Sequence, residues 1–202
     1  ITVGGELSLY SQGLETLRAQ RAYAPAVLAI TGTNGKTTVT SLTGQLIAHA
    51  GKTVAVAGNI GPTLLDTLTE HLVADTLPEV WVLELSSFQL HWTYSLSPLA
   101  SVVLNVAEDH VDWHEGYANY LADKARVYEN TQVACIFNAN QDEIVRMVEE
   151  ADVVEGCRAI GFWADTPALS MFGVVDSLLV DRAFLDDRRH QALEVAAVSD
   201  TG

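Results

Sequence analysis

The chain has 202 residues and a formal charge of −15, with 26 Asp and Glu against 11 Lys and Arg, the wrong sign for a surface that neutralises nucleic-acid phosphates or anionic lipid. Apolar residues make up 49% and charged residues 18%, the latter below the ~25% of ordinary domains, so the composition argues for a large core and against disorder. No apolar run approaches the ~20 residues of a spanning helix, and the two cysteines, Cys135 and Cys157, make neither a disulfide framework nor a metal-ligand spacing, which points to a reducing cytoplasm.

In chain order, residues 1–25 carry no signal-peptide pattern and read as a connecting arm. Ile1 in place of an initiator Met, and a stop at Gly202 soon after the apolar stretch 192–198, read as a segment cut from a longer polypeptide. From Ala26, short β-branched runs alternate with helical patterns, the signature of crossover units around a parallel sheet. Strands are expected at 26–31, 53–58, 80–85, 100–105, 132–137 and 157–162, most of them continuous apolar runs suited to burial on both faces. Val39, Leu42, Leu46, Ile47 and Ala50 recur at helical spacing from about Lys36, with Gly51 as a terminator. Further helices are expected near 116–129 and 141–150, and residues 169–198 read as short strands and turns of undetermined order. The expected fold is α/β, a P-loop-type three-layer sandwich with a mostly parallel sheet and a small antiparallel region toward the C-terminus, filling 26–202 as one domain.

The run AVLAITGTNGKTT at 26–38 is an apolar strand, a glycine-containing turn, and a Lys-Thr-Thr that opens a helix. Such a turn lets backbone N–H groups approach an anion, the helix start adds positive charge, Lys36 can neutralise phosphate, and Thr37 can offer a hydroxyl to Mg²⁺. The generic pattern puts a further glycine where Ile30 stands, so the match is incomplete, and a purely structural turn remains open. Glu84 interrupts the strand VWVLEL near its carboxyl end, where ligands gather in an open parallel sheet; buried there, a carboxylate calls for a cation. Glu108, Asp109, His110, Asp112, His114 and Glu115 crowd the loop after the next strand. That suits a divalent cation, although an acidic composition alone also produces such loops. Lys124 is one of only three lysines against eight arginines, which suggests a task that Arg does not perform.

Together GTNGKTT at 32–38, GNIG at 58–61, ELSSFQL at 84–90, NVAEDHVDWH at 105–114 and YLADKARVYEN at 120–130 resemble the central ATP-binding domain of the Mur ligases. ELSSFQL looks like the D-glutamate-adding branch, and GELSLY at 5–10 is similar to the arm by which that family enters its central domain from an N-terminal one. The resemblance implies an ATP-dependent ligase of peptidoglycan synthesis that joins D-glutamate to UDP-N-acetylmuramoyl-L-alanine through an acyl phosphate. It implies ATP and two Mg²⁺ ions, a lysine carbamylated by CO₂, a monomer in the cytoplasm, and no nucleic-acid or membrane partner. By motif, Gly32, Thr33, Asn34, Gly35, Lys36, Thr37 and Thr38 would bind nucleotide, with the backbone from Thr33 to Gly35 cradling phosphate. Thr37, Glu84, His110 and a carbamylated Lys124 would bind metal. Asn59, Ser86, Gln89 and His110 would face the muramoyl substrate, and Lys36, Lys124, His110 and Asn59 would carry the catalysis. The family's N- and C-terminal domains and its adenine-contacting His-Asn pair have no counterpart in these 202 residues, so a fragment inactive by itself is expected.

Three other readings remain. Folylpolyglutamate synthases share the phosphate loop and the amide-forming chemistry but not the ELSSFQL segment. A switch GTPase needs an Asn-Lys-x-Asp string, and NANQ at 138–141 lacks the lysine. The same domain could also serve as a nucleotide-binding scaffold without turnover.

Overall fold

The computed structural model describes residues 4–201; residues 1–3 of the expected arm and residue 202 lie outside the described part. The arm is a helix, α1 (Glu6–Arg21). Leu7, Tyr10, Leu14 and Leu17 recur along it at helical spacing and pack into the main core, each fully buried one contributing on the order of 2 kcal/mol. This stretch is thus part of the domain's interior as well as its entry.

There follow β1 (Ala26–Thr31), α2 (Lys36–His49), β2 (Val54–Gly58), α3 (Leu64–Ala74), β3 (Val80–Glu84), α4 (Ser87–His91), β4 (Ala100–Val103) and α5 (Tyr117–Ala125), the last continued by a 3₁₀ turn to Tyr128. The chain goes on with β5 (Ala134–Asn138), α6 (Asp142–Glu149), β6 (Arg158–Phe162), β7 (Met171–Val175), β8 (Leu178–Asp181) and β9 (Leu193–Ala197). One sheet takes all nine strands in the order β2-β3-β1-β4-β5-β6-β7-β8-β9. It is parallel through β7 and antiparallel only for β8 and β9. The expected strands all form: β1 has the expected bounds, the others lose one or two residues at one end, and β5 runs one residue further, to Asn138. α1, α3 and α4 were not anticipated, because their polar content hides the apolar stripes.

The two faces are covered unequally. Val27, Ala29, Ala55, Ala57, Trp81, Leu83, Val103 and Cys135 point into one core beneath α1, α3, α4, α5 and α6. Ile30, Val82 and Val102 point to the other face, where Val39 and Ile47 of α2 meet them. Trp81 anchors the first core: it is wholly buried, edge-on to Tyr10 at 5.4 Å and to His71 at 5.7 Å, and its Nε1 donates to the Tyr23 hydroxyl at 2.9 Å. His71 therefore packs against the core. α2 leaves β1 on one face, whereas α4 and α5 leave β3 and β4 on the other. That reversal opens a crevice at the carboxyl ends of the central strands.

Candidate functional site

The turn from β1 into α2 is built by residues from afar. Asn105, just beyond β4, accepts the N–H of Thr33 on its backbone oxygen at 2.9 Å and that of Asn34 on Oδ1 at 2.8 Å, and its Nδ2 donates to the Asn34 carbonyl at 3.0 Å. Thr33 Oγ1 accepts from Ala107 N–H at 3.0 Å and lies 2.7 Å from the Tyr120 hydroxyl. Gly35 sits at φ 79°, a left-handed conformation that glycine takes without strain. Among the described residues, the N–H groups of Gly35, Lys36, Thr37 and Thr38 have no protein partner. They are the open donors at the positive end of a 14-residue helix, where anions bind. The free donors thus run from Gly35 to Thr38; of the expected Thr33–Gly35 cradle, the first two amides are taken by Asn105.

Lys36 Nζ donates to the carbonyls of Gly32 and Thr33, each at 3.0 Å. Lys124 Nζ, arriving from α5, donates to the same Gly32 oxygen at 3.0 Å and lies 3.5 Å from Thr31 Oγ1. Two lysine nitrogens on one oxygen are at most ~6 Å apart, close enough for their charges to repel in a dry setting. Lys124 is 2% exposed. Burial first, and the Lys36 cation second, pull its amine down to about 7, with Asp109 acting the other way. Its task on the helix is therefore not that of an ordinary surface lysine.

Glu84 closes β3, in register with Ile30 of β1 and Gly58 of β2, and is 3% exposed. Its carboxylate receives one hydrogen bond, from Asn59 Nδ2 at 3.3 Å, while Asn59 N–H donates to the Glu84 carbonyl at 2.8 Å. β2 comes this close because residue 58 is glycine at φ 136°; a Cβ there would stand 2.1 Å from the Glu84 carbonyl oxygen. A buried carboxylate with a single long hydrogen bond among the described residues is under-compensated, and the donor set of Glu84 and the Thr37 hydroxyl, which has no partner among those residues, suits a hard divalent cation.

The other expected residues sit toward α4. Ser86 and Gln89 form the capping box of that helix: Ser86 Oγ accepts from Gln89 N–H at 3.3 Å, and Gln89 Oε1 accepts from Ser86 N–H at 3.0 Å. Their oxygens are thereby committed to local structure. His110, at φ 51°, has a half-exposed ring 4.9 Å from Phe88 and 3.5 Å from Asp109 Oδ2. It lies on the α4 side of the crevice, outside hydrogen-bonding reach of Glu84 and Lys124. Of the acidic loop, Glu108, Asp112 and Glu115 are exposed and join no cluster of metal-ligand spacing among the described residues. Sequence reasoning missed Asn105, Tyr120, Asp123, His91 and the buried setting of His114. The available signal was their place in the motifs: Asn105 opens NVAEDHVDWH, and Tyr120 and Asp123 lie in YLADKARVYEN.

A central parallel strand delivering a lysine-bearing turn to a helix start, with a buried carboxylate beside it, is the framework of a P-loop-type α/β domain. The chain belongs to the Mur ligase family: the family model for the Mur ligase middle domain matches residues 30–180. It is 49% identical over 178 residues to the UDP-N-acetylmuramoylalanine–D-glutamate ligase of Leifsonia xyli subsp. xyli, covering 86% of this chain and 34% of that protein. The same ligase of Cupriavidus metallidurans is 54% identical over 147 residues, 73% of this chain and 29% of its own length. The chain thus spans about a third of the length of the curated relatives it matches. In fold it resembles a solved UDP-N-acetylmuramoyl-L-alanyl-D-glutamate–2,6-diaminopimelate ligase, with TM-score 0.69 at 19% identity over 85% of this chain and 38% of that one. It also resembles Escherichia coli FolC solved in complex with ADP, with TM-score 0.58 at 18% identity over 89% and 51%.

Proposed function

We propose that this chain is the central ATP-binding domain of a cytoplasmic, monomeric ligase that joins D-glutamate to UDP-N-acetylmuramoyl-L-alanine in peptidoglycan synthesis, with residues 4–25 as its entry from an N-terminal domain. The observation that carries the reading is the convergence of Lys36 and Lys124 on the Gly32 carbonyl, beside the open amides of Gly35–Thr38. The identity to relatives of that name over most of the chain supports it.

The residues fit the chemistry. The amides of Gly35–Thr38 and Lys36 would hold the β and γ phosphates of ATP. A substrate carboxylate oxygen then attacks the γ phosphorus in line, the bond to the bridging oxygen breaks, and ADP leaves. The amine of D-glutamate attacks the acyl carbon of the resulting acyl phosphate; a C–N bond forms, phosphate departs with the C–O electron pair, and the amine releases a proton. Asn59, bonded to Glu84, and His110, on the α4 side of the crevice, would orient the muramoyl carboxylate. Two Mg²⁺ ions, held by Thr37 and Glu84 and by His110 and a carbamylated Lys124, would screen the negative charge of phosphate and carboxylate.

An amine held near neutrality is a nucleophile at physiological pH, which is what carbamylation requires. The Lys124 lone pair forms a bond to the carbon of CO₂, one C=O pair moves to oxygen, and a proton passes to water. The product replaces a cation with an anion that a hard metal accepts. Calorimetric titration of the chain with Mg·ATP and Mg·GTP tests the reading. Weak, saturable ATP binding with no response to GTP, lost in Lys36→Ala, is expected. Preference for GTP, or ligated product released by these 202 residues alone, would overturn it.

A further inference from the structure

His114 is buried where the acidic loop turns toward α5, and both of its ring nitrogens are engaged. Nδ1 lies 2.7 Å from Asp123 Oδ2 and Nε2 lies 2.9 Å from Ser87 Oγ. A second imidazole, His91 at the end of α4, puts its own Nδ1 2.8 Å from the same Asp123 oxygen. Arg126 Nε faces the other carboxylate oxygen at 3.5 Å, and Arg126 Nη1 donates to the His91 carbonyl at 2.9 Å, closing a ring of contacts. A carboxylate only accepts, so each Nδ1 must carry a proton, and His114 Nε2 is left to accept the Ser87 hydroxyl. One tautomer satisfies every group.

The order hydroxyl–imidazole–carboxylate is that of a nucleophilic triad, but Ser87, His114 and Asp123 are each 5% exposed or less, so no substrate reaches the hydroxyl. The cluster also has the composition of a metal site, its ligand atoms lying within 4.8 Å of one another. Yet the imidazoles stand at hydrogen-bonding distance from the carboxylate, and Arg126 already supplies its cation. What remains is mechanical. Asp123 and Lys124 are consecutive on α5 and so lie ~100° apart around the helix. One is locked to α4 and the acidic loop, while the other reaches the Gly32 carbonyl. Tyr120, one turn earlier, is hydrogen-bonded to Thr33, has its ring 4.9 Å beneath Lys124 Nζ, and packs edge-on to His114 at 5.3 Å.

We propose that His114 and Asp123 are positioning residues, a buried bracket that fixes α5 against the helix presenting Phe88 and Gln89 and thereby holds the Lys124 amine at the phosphate loop. The proposal rests on the reading of Lys124 as the lysine that takes up CO₂. The bracket acts through placement of Lys124 and touches no substrate. Its members come from three separate segments, α4, the acidic loop and α5 with its continuation.

The test is ¹³C NMR of the 202-residue chain in ¹³C-bicarbonate, reading the carbamate carbonyl at fixed CO₂, with thermal melting in CO₂-free buffer as the control for folding. The unmodified chain should show a carbamate resonance that Lys124→Ala removes. His114→Ala, held well below its melting midpoint, should lower carbamate occupancy several-fold, and added imidazole should restore it. A lowered melting midpoint with occupancy unchanged would make the network merely structural and overturn the bracket. Should His114→Ala not fold, Ser87→Ala removes a single hydroxyl: a fall in occupancy supports the bracket, and an unchanged signal overturns it. Absence of any Lys124-dependent resonance in the unmodified chain would instead overturn the CO₂ reading, and the bracket with it.

Discussion

At the scale of single residues, the fate of Lys124 is decided by where its nitrogen is placed. Scarcity of lysine marked it in the sequence, but its burial and its sharing of a carbonyl with Lys36 depend on residues 88 to 93 positions away and could not be read from spacing. The network around His114 was illegible for the same reason. Its contacts span 9, 27 and 32 residues, and only folding brings these segments together. Because the folded value of Lys124 is depressed to about 7, the unfolded chain binds the extra proton between pH ~7 and ~10.5, and stability rises with pH across that window. At and below pH 7 the folded state carries the full penalty, a few kcal/mol at about 1.4 kcal/mol per pKa unit. Lys124→Met should therefore stabilise the chain toward urea in CO₂-free buffer at pH 6, with the gain shrinking toward pH 10. A difference that does not vary with pH would show that the amine is not held neutral by the fold.

At the scale of elements, the strands and α2 were legible because continuous apolar runs and a Lys-Thr-Thr helix start survive any tertiary context. α1 and α3 were not, since Ser, Gln and Arg dilute the stripe of α1, and Asp, Thr, Glu and His interrupt that of α3. The hairpin joining β7 and β8 was also hidden: its two turn residues, Asp176 and Ser177, take φ 47° and 66°, a shape for which Asn-Gly or Asp-Gly is the usual signal. Contacts between elements also rest on single groups. The Tyr128 hydroxyl, wholly buried, accepts the Val103 N–H of β4 at 3.1 Å and donates to the Ile136 carbonyl of β5 at 2.8 Å. Tyr128→Phe strips both backbone groups of that partner at almost constant volume. It should lower unfolding stability by about 1–3 kcal/mol, measurable in urea, without altering nucleotide binding. Gly58→Ala is expected to be harsher, because the added methyl collides with the Glu84 backbone at a conformation that L-residues rarely adopt. Its signature would be a lower melting midpoint together with weakened metal-dependent nucleotide binding, since β2 can retreat only by moving Asn59.

At the scale of the whole molecule, alternation of strands and helices was enough to foresee the parallel sheet, whereas the order of residues 163–202 awaited the pairing of β7 with β6 and of β9 with β8. The unequal covering of the two faces was not foreseeable, because burial on both sides leaves the same apolar signature in each strand. Against the flank of α2, where Val39 and Thr43 form one side, Leu28, Ile30, Val102, Leu104, Ile136 and Phe162 wall a slot of about 290 Å³. Water there finds almost nothing to bond with, so a neutral solvatochromic dye should settle into it and glow on the native chain. Heating would then dim the emission, in contrast to the brightening seen when a protein exposes greasy surface only on melting, and Val102→Glu would quench it at the outset.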